Sequence, residues 1–199
     1  MGNEVIKNEN NMISSTVTEI KNLLNQSRQC LENYPGGFKM LKYRKINADD
    51  DEVLAGIIRA NLEKLHLNIP GTAYFDPELD HLSVYYNSDP KKRAYFVALD
   101  ETAQVVGGVG IAEFEGISDC AEIQKLYLDD STKGKGYGKE LMQVAENWAR
   151  EAGYKQLYLE THSNLKVAMK LYEKAGFQQI ERPESVLHGT MDHFYLKKL

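Results

Sequence analysis

Apolar positions fall at helical spacing in some stretches of this chain and at strand spacing in others, and the two alternate. Ile13, Val17, Ile20, Leu24 and Leu31 trace one face of a helix. Thr16 and Glu19 suit a capping box at its start, and Tyr34-Pro35-Gly36-Gly37 ends it. The polar residues 1–11 ahead of it read as a disordered tail. A first strand is predicted over 41–46, then a helix over 49–66. That helix has Asp49 and Glu52 as a capping pair, an apolar face of Val53, Ile57, Ile58, Leu62 and Leu65, and a break at Asn68-Ile69-Pro70-Gly71.

A short helix follows over 77–86. Strands over 94–99 and 105–114 pair across a turn at 100–104. Gly107, Gly108 and Gly110 inside the second of these mark a bulge or a close backbone approach. Residues 121–128 form a strand, with Ile123, Leu126, Tyr127 and Leu128 as strand formers. A helix over 138–152 carries Leu141, Met142, Ala145, Trp148, Ala149 and Ala152 at helical spacing and stops at Gly153. Then come a strand over 156–161, a helix over 165–175 capped by Gly176, a strand over 177–180 and a last strand over 191–197. Strand and helix alternate in the pattern of an α/β fold on a mixed sheet. The organisation expected is a tail over 1–11, a helical extension over 12–40 and one domain over 41–199.

The stretch with most chemistry in it is the turn between the strand at 121–128 and the helix at 138–152. The first turn of a helix has amide hydrogens without an internal partner, at the positive end of the helix dipole. Gly134, Gly136 and Gly138 let a ligand approach the backbone, and Lys133, Lys135 and Lys139 add positive charge. A phosphate or pyrophosphate is the natural guest. The Walker pattern fails, because position 133 is Lys and position 140 is Glu. The dinucleotide pattern G-x-G-x-x-G fails because the glycines run 134, 136, 138. A nucleotide-phosphate enzyme is disfavoured accordingly.

Lys133-Gly134-Lys135-Gly136-Tyr137-Gly138 fits [QR]-x-x-G-x-[GA] apart from Lys133, which keeps the charge of the usual Arg. That is the pyrophosphate signature of the GNAT superfamily of acetyl-CoA-dependent N-acetyltransferases, and the chain resembles that family. Residues 157–177, LYLETHSNLKVAMKLYEKAGF, resemble the family's next block. The resemblance extends loosely over 41–199 and leaves out the first forty residues. It implies an α/β (α+β) fold with a mixed, mostly antiparallel sheet flanked by helices, here with an extra N-terminal helix.

The resemblance also implies roles. The pantetheine arm of acetyl-CoA lies along the central strand at Leu126, Tyr127 and Leu128, with amides of Leu126 and Leu128 donating to it. The pyrophosphate sits on residues 133–139. Asn164 matches the family's asparagine that bonds pantetheine, and as an ordinary residue it would be a loop or helix cap. Tyr172, in Leu171-Tyr172-Glu173-Lys174, matches the tyrosine that acts as general acid toward the coenzyme sulfur. Glu122 matches a catalytic glutamate of the superfamily's histone acetyltransferases and is the candidate general base, with Glu160 and His162 as rivals. A carboxylate on a central strand gains a raised pKa by desolvation, which suits a base working near neutrality.

Composition narrows the rest. A net charge of −5 argues against nonspecific nucleic-acid binding. No apolar run approaches the roughly 18 residues of a membrane span, and no signal peptide is visible. Cys30 and Cys120 lie far apart and read as reduced cysteines of a cytoplasmic protein. His66, His81, His188 and His193 form no metal motif, so no metal is expected. The function implied is transfer of an acetyl group from acetyl-CoA to a primary amine of a small molecule or peptide, by direct attack in a ternary complex, in a monomer or homodimer. The alternative is a non-catalytic acyl-CoA-binding regulatory module. Tyr74, Phe75, Asp76, Glu78 and Asp80 could line an acceptor pocket for an ammonium group, and a solvated acidic helix start explains the same residues.

Overall fold

The computed structural model describes residues 41–186 and 189–199. The predicted tail over 1–11 and helix over 12–40 lie outside the described residues, as does His188. Seven strands form one sheet: β1 (Lys42–Lys45), β2 (Ala94–Leu99), β3 (Val105–Glu113), β4 (Cys120–Leu128), β5 (Gln156–Thr161), β6 (Gln178–Ile180) and β7 (His193–Lys198). Their order across the sheet is β1-β2-β3-β4-β5-β7-β6. Neighbours are antiparallel except β4 and β5, which run parallel. The connection between those two is α3 (Tyr137–Glu151), the helical crossover that a parallel pair needs.

Helices cover both faces. α1 (Asp51–Lys64) and α2 (Leu82–Asn87) close one core with the β2 residues Tyr95 and Val97, around Leu54, Ile58, Leu62 and Tyr86. α3 and α4 (Lys166–Lys174) close the other, around Leu141, Met142, Ala145, Ala149, Tyr172 and Phe177. The expected α/β architecture with a mostly antiparallel sheet is the one observed.

Several local expectations change. The first helix starts from Asn47, not from Asp49 with Glu52. Asn47 Oδ1 accepts from Asp49 N at 2.9 Å, and Asp50 Oδ2 accepts from Asn47 N at 2.8 Å, so the box closes ahead of the predicted pair. A 3₁₀ turn over Ala48–Asp50 leads into α1. The buried face of α1 is rotated from the predicted one: Leu54 and Ala55 are buried and Val53 is 46% exposed. His66, in the left-handed region at φ 56°, ends the helix before Asn68. The short helix predicted over 77–86 is a 3₁₀ turn, Leu79–His81, followed by α2. In α3, Glu146 sits buried among the predicted apolar positions. It accepts from Lys197 Nζ at 2.5 Å, and that amine also donates to Ala175 O at 2.6 Å, tying α3, β7 and the end of α4 together.

Candidate active site

The site begins where the parallel pair ends. β4 and β5 are in register at Cys120, Ala121 and Glu122, opposite Gln156, Leu157 and Tyr158, and their ladder goes no further. Glu122 is therefore the last β4 residue paired with β5 and stands at the apex of a V. Beyond it β4 still pairs with β3 as far as Leu128, while β5 turns to β7 as far as Thr161. Asp129 N donates to Val106 O on β3 at 2.8 Å. Because amides alternate in direction along a strand, those of Leu126 and Leu128 point away from β3, toward the open side of the V.

A bulge shapes β4 inside the V. Gly108 pairs with Tyr127 and Gly110 with Gln124, so Lys125 and Leu126 together face Val109. Lys125 carries the strain, at φ 49°. The predicted close approach at the β3 glycines is real. A Cβ on Gly108 would meet the Tyr95 ring at 2.3 Å, and one on Gly107 would meet Tyr127 O at 2.2 Å. Tyr95 in turn donates its hydroxyl to Lys125 O at 3.1 Å, pinning the bulge.

The bulge delivers the Lys125 amine into the cleft, where it is 7% exposed and meets Asp76 at 2.6 Å and Glu78 at 3.1 Å. Burial pushes this amine's pKa down, but Asp76 and Glu78 outweigh that and leave it raised. The segment carrying Asp76 and Glu78 is thereby tied over the V. Thr72 helps to fix that segment, its hydroxyl donating to Leu67 O at 2.8 Å. Within the expected acceptor group, Asp76 and Glu78 line the cleft. Asp80 instead holds Arg59 at 2.7 Å, Tyr74 donates to Glu63 at 2.7 Å, and Phe75 is 57% exposed. Sequence reasoning missed Lys125, which neither periodicity nor a motif singles out.

The cleft has a volume of about 280 Å³, and its lining includes Asp76, Glu78, Glu122, Lys125, Glu160 and Tyr172. Four carboxylates thus face one lysine. Glu122 has its carboxyl pushed up to about 7, first by burial and further by Glu160, against a lowering hydrogen bond from Gln124. Burial also raises Glu160, against the Tyr158 hydroxyl that donates to it at 3.1 Å. Tyr172 is buried, which pushes its phenol up to about 12, with Tyr195 adding to the rise. Its ring lies edge-on to Tyr195 at 6.0 Å.

The glycine turn opens beside the far end of β4. A 3₁₀ turn over Asp130–Thr132 precedes it. Gly134 and Gly136 are left-handed, at φ 78° and 85°, and a Cβ on either would meet nothing within 4 Å. These glycines therefore serve the turn and the open space in front of it, not packing. Lys139 N and Glu140 N are bonded to Gly136 O, so amides 134–138 precede the intrahelical ladder of α3. Lys133 and Lys64 both pair with Asp130, and Lys135 Nζ donates to Ser131 O at 2.7 Å. Lys139 is exposed. Tyr137 is different: its side chain is buried in the core, so only its backbone faces the turn.

Two expected neighbours stand apart. Asn164 is exposed and donates through Nδ2 to Leu65 O at 3.0 Å, a strut to the end of α1 outside the cleft lining. The His162 ring accepts from Asn164 N at 3.1 Å, so it caps that loop and also stands outside the lining. Among the described residues, no group of His, Cys, Asp and Glu is arranged to hold a metal ion. No helix among them is long and apolar enough to cross a membrane.

A V opened in a mixed sheet, with strand amides along one arm and a glycine-cleared helix start at its end, is the layout of an acyl-CoA-dependent transferase. The chain belongs to the acetyltransferase (GNAT) family, whose model matches residues 59–177. Over 140 residues it is 40% identical to the uncharacterized N-acetyltransferase YjgM of Escherichia coli strain K12, covering 69% of this chain and 82% of that one. Its fold is similar to that of a GNAT-family acetyltransferase from Staphylococcus aureus, at TM-score 0.69 and 20% identity over 80% of this chain and 99% of that one. It is also similar to a phosphinothricin acetyltransferase from Sinorhizobium meliloti in complex with acetyl-CoA, at TM-score 0.63 and 22% identity over 80% and 88% of the two chains. The protein is an acetyl-CoA-dependent N-acetyltransferase.

Proposed function

We propose that the enzyme moves the acetyl group of acetyl-CoA to a primary amine of a small molecule or peptide, by direct attack in a ternary complex. The observation that carries this reading is Glu122 at the apex of the V, a carboxyl lifted to about 7 in a cleft of four carboxylates and one lysine. An ammonium is drawn to that field, and a base poised near neutrality can take its proton.

In the reaction, Glu122 takes a proton from the incoming amine and the amine nitrogen attacks the thioester carbonyl. Charge develops on the carbonyl oxygen, and the outward amides of Leu126 and Leu128 would donate to it. The carbon–sulfur bond breaks, Tyr172 gives its proton to the leaving sulfur, and the second proton of the original ammonium, still on the nitrogen, passes back to the Tyr172 oxygen. Residues 133–139 hold the pyrophosphate through amides 134–138 and their lysines, with Tyr127 and Asn164 beside the pantetheine. Asn164 spends one Nδ2 hydrogen on Leu65 O and keeps the other, and its Oδ1, for that contact. Among the described cysteines, Cys120 is a poor candidate for an acyl-enzyme. It is buried, and its thiol is pushed up to about 12 by burial and by Glu122.

The test is release of free thiol from acetyl-CoA across a panel of monoamines, diamines, amino acids and peptides, with melting temperature read in the same wells. Turnover with amines that carry a second positive charge, and little with acidic ones, is the expected outcome. A melting rise with acetyl-CoA but no turnover with any amine would overturn the acceptor class. The absence of both signals would overturn the assignment of residues 133–139.

A further inference from the structure

We infer that Gln124 and Tyr86 are positioning residues that hold Glu122 as an oriented carboxylate facing the amine, by passing one hydrogen-bond direction from a buried hydroxyl to the base. This rests on the reading of Glu122 as general base. The Tyr86 hydroxyl donates to Gln124 Oε1 at 2.9 Å, and Gln124 Nε2 donates to Glu122 Oε2 at 2.6 Å. Glu122 and Gln124 are two apart on β4, so they share a face.

The relay has a defined direction. Tyr86 is fully buried, with Tyr85 edge-on at 4.9 Å and Tyr95 tilted at 5.1 Å. It reaches Gln124 by lying over Gly110, which leaves the space a Cβ would fill. Burial lifts the Tyr86 phenol far above its ordinary value, so the hydroxyl keeps its proton. That proton needs an acceptor in a buried setting, and it takes Gln124 Oε1. The carboxamide is thereby turned with its Nε2–H toward Glu122. A donor aimed at a carboxyl favours the ionised form over the neutral acid.

The other groups around Glu122 pull in different directions. Burial, Glu160 on β5 and Asp76 from the covering segment favour the neutral acid, while Lys125 on its own strand favours the carboxylate. Tyr86 from α2, Tyr158 on β5 and Cys120 on β4 also feel its charge. Against that sum, the Gln124 donor is the larger of the two influences that lower the Glu122 value, Lys125 being the other.

The experiment is a carbon-13 NMR titration of protein labelled at the glutamate carboxyls. The Glu122 signal is assigned by its loss in Glu122→Gln. The full chain is compared with Tyr86→Phe, which keeps the ring over Gly110, and with Gln124→Leu. The Glu122 titration midpoint should rise by about one pH unit in Gln124→Leu, the scale of one lost hydrogen bond to a charged group. It should rise by less in Tyr86→Phe. Because Tyr86→Phe preserves packing, it decides the matter if Gln124→Leu does not fold. A midpoint unmoved in the variants, with Glu122→Gln inactive in thiol release, would overturn the relay and leave the base in place. Full turnover by Glu122→Gln would overturn the base, and the relay with it.

Discussion

A Cβ on Gly110 would stand 2.1 Å from the hydroxyl of Tyr86 and 2.4 Å from its Cζ. The two residues compete for one volume, and a glycine on β3 is what lets a tyrosine from α2 reach the central strand. Gly110→Ala overfills this core, at a cost of about 1–3 kcal/mol. In a chain of this size the melting temperature should fall by roughly 3–10 °C. An unchanged melting temperature would mean that Tyr86 can leave the space without cost.

The proton of Tyr172 is held tightly by burial. If it protonates the leaving sulfur, Tyr172→Phe should lower kcat by about 10² fold or more, while the KM for acetyl-CoA stays within about twofold. A retained kcat in steady-state thiol release would remove Tyr172 from the proton path.

Gly136 separates backbone need from packing need. Nothing lies within 4 Å of the Cβ position, yet φ is 85°. Gly136→Ala therefore clashes with no neighbour and pays about 1–2 kcal/mol for a left-handed backbone. The turn should relax out of shape, raising the KM for acetyl-CoA by roughly tenfold with kcat largely kept. Loss of kcat with unchanged KM would place this turn outside coenzyme binding.

The raised carboxyl of Glu122 makes stability depend on pH. Its folded value is about 7, against an ordinary 4.5, chiefly because burial disfavours the charge. Between those values the folded state holds a proton that the unfolded state has released. The favourable contribution is thus present below pH 4.5 and is lost as pH rises through 7. Glu122→Gln carries no such charge. Its melting temperature relative to the parent should be higher at pH 8 than at pH 5, measured by calorimetry at both. An equal offset at the two pH values would mean that Glu122 titrates as an ordinary carboxylate.

Much of this was legible in the chain itself. The strand at 121–128, the glycine turn and the helix after it were readable because local periodicity and glycine spacing encode local conformation. The turn's need for Gly134 and Gly136 appears as left-handed backbone with open space in front of it. The β3 glycines announced a close approach, though not that Tyr95 and Tyr86 are what approaches. Boundaries and faces were less legible. Asn47 took the capping role because a 3₁₀ turn precedes α1, and Val53 left the predicted core face because packing rotated the helix.

By itself the sequence determined the order of strands and helices and the glycine turn between β4 and α3, where Gly134 and Gly136 take left-handed backbone. Only the tertiary structure decided that the β4–β5 ladder stops at Glu122. It alone set the lysine on the bulge against Asp76 and Glu78, and it tied Asn164 to Leu65 O at the end of α1. The physical reason is distance along the chain. Tyr86 and Gln124 are 38 residues apart, and Glu146 and Lys197 are 51 apart. Hydrophobic pattern tells each segment which face to bury, but partners so far apart meet only once strand register and helix rotation are set by the packed core.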